Sequence, residues 1–170
     1  MVRALIADRF KLTTHTENQQ ATVYGMVVPK GELKLKKADE AERSGCKPAP
    51  GAIPANANAG PMIAWSCQNT TMAELATNVA AWAGGYIDHP IVDLTGLQGG
   101  FDFVLMWTPR QALDNPTRPA DPGLAADPGG LSVFEAIQKE LGLKLELQKH
   151  AILVIVIDHV EPLPGNHQRR

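Results

Sequence analysis

The sequence predicts an α+β domain built as three helix-strand-strand units, with the helices packed on a mainly antiparallel sheet. Three observations carry that reading. Two capping boxes, Thr71-Met72-Ala73-Glu74 and Ser132-Val133-Phe134-Glu135, each open a stretch with apolar residues at helical spacing. Runs rich in β-branched and aromatic residues follow each helical stretch. The segments ADRFKLTT and ELGLKLEL share a helix end and the same hydrophobic-Lys-Leu entry into a strand. A unit of that size cannot bury its helix alone, so the three are expected to share one core over residues 1–170.

Composition limits what the chain does. At 170 residues it is long enough to bury a core without metal or disulfide staples. A net charge of −2, with no Lys/Arg stripe, supplies no field for nucleic acid. The longest apolar run, Ala151 to Ile157, falls far short of the roughly 20 residues needed to cross a bilayer, so no membrane insertion is expected. The N-terminal MVRALIADRF turns charged at Asp8 and Arg9 and lacks the apolar core of a signal peptide, so the chain as expressed is expected in the cytoplasm. No capping residue precedes Val2, and the chain therefore reads as a fragment of something longer.

Taken in order, Val2, Leu5, Ile6 and Phe10 fall at helical spacing and predict a short helix over Val2–Phe10. Lys11–Thr16 and Thr22–Val28 read as the strands of a hairpin turned by polar ENQQ. A loop is expected over about 36–70, where PAPGAIPANANAGP sustains no period. Met72, Leu75, Val79 and Trp82 then form a helical stripe, stopped by Gly84-Gly85. Tyr86–Val92 and Phe101–Trp107 read as strands, the second placing Phe101, Phe103, Leu105 and Trp107 on one face. A second loop is expected over about 109–131, with its repeated Ala-Asp-Pro-Gly turns. Val133, Phe134, Ile137 and Leu141 give the last helix, ended by Gly142. Leu143–Leu147 reads as a partly exposed strand and Ala151–Ile157 as a buried one. Cys46 and Cys67 are either free thiols or a bridge, which their spacing does not decide.

Three blocks of this chain resemble a large family of uncharacterised, typically exported proteins expanded in acidobacteria and other soil bacteria. They are ADRFKLTTHTE with VYGMVVPKG, then PIVDLTGLQGGFDFVLMWTP, then VFEAIQKELGLKLE with VIVIDHVEPLPGN. The resemblance implies that the chain is the C-terminal part of a longer protein whose relatives work outside the cytoplasm. Members are often encoded with sensor-type membrane peptidases, and the resemblance implies no established activity.

The polar residues offer incomplete chemistry. His159 and Glu161 share one face beyond the last strand and, with Asp158, would suit a divalent metal or a base pair; the plainer reading is a strand ending in polar residues. Asp88, Asp93 and Asp102 lie around the glycine-rich turn of Pro90–Pro109, and converging carboxylates would suit calcium. The plainer reading makes Asp93 a turn cap accepting from amides near Thr95 and Gly96. Asp102 stands charged between Phe101 and Phe103. Trp82 and Trp107 read as core residues, leaving Trp65 as the tryptophan available for an exposed contact.

Two functions from different classes follow. The first is a non-catalytic binding or interaction domain of an exported protein, taking a protein partner or a small-molecule ligand. The second is a hydrolase of a small ester or lactone, in which calcium or zinc held by Asp88, Asp93, Asp158 and Glu161 assists catalysis by Asp102 and His159. Lactone is specified because the chain is similar to soil-metagenome sequences described as acyl-homoserine-lactone hydrolases.

Overall fold

The computed structural model describes residues 9–31, 33–39, 41, 43–50, 61–114 and 130–161. The expected first helix apart from Arg9 and Phe10, much of PAPGAIPANANAGP and the Ala-Asp-Pro-Gly units therefore lie outside the described residues. The elements are β1 (Thr13–Val27), β2 (Lys36–Lys37), β3 (Gly45–Pro48), β4 (Ile63–Thr70), α1 (Met72–Trp82), β5 (Ile91–Asp93), β6 (Phe101–Trp107), α2 (Arg110–Asp114), α3 (Val133–Ala136) and β7 (Lys144–His159). The chain is α+β and rich in antiparallel pairing. It divides into two compact units, Met1–Ala21 with Lys149–Arg170, and Thr22–Gln148.

The Thr22–Gln148 unit holds a four-stranded antiparallel sheet in the order β2-β6-β4-β3. As the alternation predicts, β6 presents Phe101, Phe103, Leu105 and Trp107 inward, none more than 9% exposed. Against them pack Met72, Leu75, Ala76 and Val79 of α1, with Val133, Ile137 and Leu141 from the last helical segment and Leu143 just after it. Both capping boxes form. Thr71 Oγ1 accepts from Glu74 N at 3.2 Å while Thr71 N donates to Glu74 Oε2 at 2.8 Å. Ser132 and Glu135 repeat the arrangement. Each satisfies donors that a helix start leaves without intrahelical partners.

The last helix is not α-helical throughout. After Ala136 it widens into a π-turn, Ile137–Leu141, and stops at Gly142 with φ 71°, the left-handed conformation expected of a terminating glycine. The wider turn carries Glu140, whose Oε2 accepts from Met106 N of β6 at 2.8 Å.

Several expected elements differ. The predicted first hairpin is a single strand, β1, running through Glu17-Asn18-Gln19-Gln20. Those four residues include no Gly or Pro to supply the special φ of a tight turn, and pairing with β7 offers a continuous ladder. Leu143–Leu147 and Ala151–Ile157 likewise merge into β7, which alternates in exposure instead of being buried, with Leu153, Ile155 and Ile157 at 62% or more. The middle pair separates between sheets: β5 lies parallel to β1, with Tyr24 opposite Ile91 and Met26 opposite Asp93, while β6 joins β4 and β2. The expected loop over 36–70 contains β2, β3 and β4. Cross-strand pairing of β2 and β4 with β6, and of β3 with β4, invisible to local composition, overrides the loop-like sequence around them.

Burial raises Glu140 above the ordinary glutamate pKa, with the Met106 hydrogen bond opposing the shift. The folded state thus holds this proton more tightly than the unfolded chain, and the associated stability is lost as pH rises from the unfolded pKa through the folded one. Glu140→Gln keeps an acceptor for Met106 N and removes the titration. Its melting temperature relative to wild type should rise between about pH 4 and about pH 7 in thermal scans; a relative fall would mean that the carboxylate charge stabilises the fold.

Candidate functional site

The site is built from the corner where β4 becomes α1. The β4–β6 ladder runs evenly from Ile63 opposite Trp107 to Cys67 opposite Phe103, then breaks register before Thr70 opposite Phe101. Asn69 takes the irregular position at φ 43°, a conformation that asparagine tolerates better than most residues. Its N–H donates to Asp102 Oδ1 at 2.9 Å, so a β6 side chain takes up the bulged residue's amide. Gly100 makes room. A Cβ there would overlap Asn69 Oδ1 and approach the Asn69 Cα and carbonyl carbon at 2.9 and 2.8 Å.

One residue, Thr71, separates the bulged strand from α1. The helix then folds back along the strand that precedes it. Ten residues of helix rise about 15 Å from Met72 to Trp82, and five residues of strand span about 17 Å from Thr70 back to Trp65. These matched lengths bring the indoles face to face, with ring centroids 4.0 Å apart and planes 9° from parallel. Both tryptophans are half-buried.

Across the sheet, Cys46 of β3 lies directly opposite Cys67 of β4, and the two form a disulfide. The bridge closes a separation of 21 residues, which in the chain-entropy picture contributes about 3 kcal/mol. It fixes β3 beside the stacked indoles. Between them opens a cleft of about 530 Å³, lined in part by Cys46, Trp65, Trp82, Glu74, Thr77 and Asn78. That volume lies within the range of small-molecule sites. Among the described residues Glu74 is the one ionisable side chain in the lining.

The acids picked out in the sequence sit elsewhere, and none of Asp88, Asp93 and Asp102 lines the cleft. Asp93 caps its turn, as the plainer reading has it: Oδ1 accepts from Thr95 N at 2.9 Å and from Thr95 Oγ1 at 2.7 Å. Asp88 accepts from Tyr24 Oη at 2.9 Å and lies 2.7 Å from His89 Nδ1. The His89 hydrogen bond, then that of Tyr24, holds Asp88 below the usual carboxylate range. Burial, then the neighbouring Asp88, raises the Tyr24 phenol. In the other unit, Asp158 Oδ1 is 2.7 Å from His15 Nδ1, and His159 Nε2 is 3.8 Å from Glu161 Oε1. Among the described residues no group of three or more His, Cys, Asp or Glu is placed to hold a metal ion.

The profile of a family described as Protein of unknown function (DUF3738) matches residues 1–160. The chain belongs to that family. No curated protein and no solved structure matches it.

In this DUF3738 chain the sequence places Trp82 in the core and leaves Trp65 for an exposed contact; both are half-buried, pack against the core and stack on each other. The missed signal is the placement of two tryptophans at matched distances on either side of the Thr71 capping box. Asp102, singled out for catalysis, supports the bulge. Asp102→Ala removes the acceptor from the Asn69 amide and should lower unfolding stability by about 1–3 kcal/mol, measured by urea denaturation. A change indistinguishable from zero would remove Asp102 from this structural role.

Proposed function

We propose that this protein is a binding domain of an exported protein and that its ligand sits in the Trp65–Trp82 cleft. The observation that carries this reading is the stacked indole pair beside a cleft of small-molecule size. Aromatic faces recognise flat rings, the apolar faces of sugars and organic cations. With Glu74 as the ionisable side chain among the described residues of the lining, the cleft suits a neutral or cationic organic ligand. Thr77 and Asn78 add polar groups that would orient it.

The Cys46–Cys67 disulfide fits the same reading. Such bridges persist in oxidising compartments, which favours an exported setting of the kind the family resemblance implies. The lactone hydrolase reading has less support, because Asp93 and Asp102 already hold backbone amides and neither borders the cleft.

Intrinsic tryptophan fluorescence tests the proposal with N-methylpyridinium, methyl glucoside and benzoate as probes. The cationic or the sugar probe should change the emission saturably, and benzoate should not. Trp65→Ala and Trp82→Ala should each weaken that binding roughly tenfold. Saturable binding that survives both substitutions, or metal-dependent lactone turnover by wild type that survives both, would defeat the cleft as the functional site.

A further inference from the structure

We infer that Cys46 is a thiol-exchange site: a dithiol reductant opens the Cys46–Cys67 bridge there, and the opening releases β3 and takes down one wall of the cleft. The exchange chemistry stands apart from ligand binding, while its effect on a ligand rests on the cleft reading above. Among the described strands β3 ends the order β2-β6-β4-β3 and pairs with β4. It reads Gly45-Cys46-Lys47-Pro48, and every position but Cys46 is exposed. Cys46 is thus the member of the strand that packs against the core. A four-residue edge strand with so little buried is marginal by its ladder alone and belongs to the least stable part of a fold. The bridge is therefore the anchor of β3, and it holds Ser44, Gly45 and Cys46 in the cleft lining.

The two sulfurs differ in access. Cys67 is 1% exposed, whereas Cys46 is half-buried and borders both the cleft and a second hollow of about 240 Å³. Arg43 and Lys47 line that hollow, and their charges favour the thiolate that must approach Cys46. The thiolate bonds to Cys46 Sγ, the S–S bond breaks, and its electron pair leaves on Cys67 Sγ, which takes a proton from solvent. The reductant's second thiol gives up its proton, closes onto its first sulfur and expels Cys46, which is protonated in turn. The reductant ends as a disulfide, oxidised by two electrons, and both cysteines end as thiols. Cys46 Sγ is then free to leave Thr70 Oγ1 at 3.5 Å and the Asn78 Nδ2 donor at 3.7 Å, two groups of the cleft lining.

Three measurements on the full wild-type chain test this. After brief exposure to glutathione and denaturation in N-ethylmaleimide, mass spectrometry should place the mixed disulfide on Cys46 and the blocked thiol on Cys67, about tenfold or more over the reverse. On reduction with dithiothreitol, amide hydrogen exchange over residues 44–49 should accelerate about a hundredfold while α1 and β6 keep their protection. That segment includes Ala49 N, which donates to Ala64 O at 2.8 Å in the bridged form. Binding of N-methylpyridinium or methyl glucoside to the bridged form should weaken about tenfold or more on reduction. A mixed disulfide on Cys67, a bridge that opens only with unfolding of α1 and β6, unchanged protection over 44–49, or probe binding indifferent to reduction overturns the inference. A bridged chain that binds neither probe defeats the cleft reading instead, and the disulfide map and the exchange rates still decide this one.

Discussion

The hydrogen bond from Asn69 N to Asp102 Oδ1 is the constraint on which the Thr22–Gln148 unit depends. The β4–β6 ladder breaks register at Asn69, and an unsatisfied buried donor at such a break would be costly. Asp102 resolves this from the facing strand, and Gly100 clears the space that the bulged backbone occupies. The chain can then leave the sheet at Thr70 and enter a helix one residue later, with the Thr71–Glu74 capping box holding the turn. Everything at the cleft follows from that corner, because the direction of α1 decides where Trp82 arrives.

The same logic explains why a carboxylate between two aromatic residues is not evidence of catalysis here. Phe101 and Phe103 face the core, and alternation directs Asp102 to the other face, where it accepts from the Asn69 amide. Asp93 is similar, its oxygen committed to Thr95. At the cleft the stacked Trp65 and Trp82 supply the aromatic surface, and the disulfide stiffens the wall beside it.

What the sequence made legible was local. Thr71 and Ser132 were readable as caps, Gly142 as a left-handed stop and Asp93 as a turn cap, because each acts on residues within a few positions. The alternation of β6 was readable for the same reason. What stayed hidden was pairing between distant segments. Nothing near Glu17–Gln20 indicates that β7 will hold that stretch extended, and nothing in Ile91–Asp93 names Tyr24–Met26 as its parallel neighbour. Cys46 and Cys67 meet because β3 and β4 pair in that register, which their spacing does not encode. The indole stack depends on a strand length equalling a helix length, a coincidence visible only once the corner between them is known.

That dependence is measurable. A double-mutant cycle combining Asp102→Ala with Trp82→Ala, read as unfolding free energy, tests whether the bulge sets the stack. If it does, removing Trp82 costs less once Asp102 is gone, with a coupling of about 0.5–1.5 kcal/mol. Additivity within about 0.3 kcal/mol would show the two to be independent and would contradict the account.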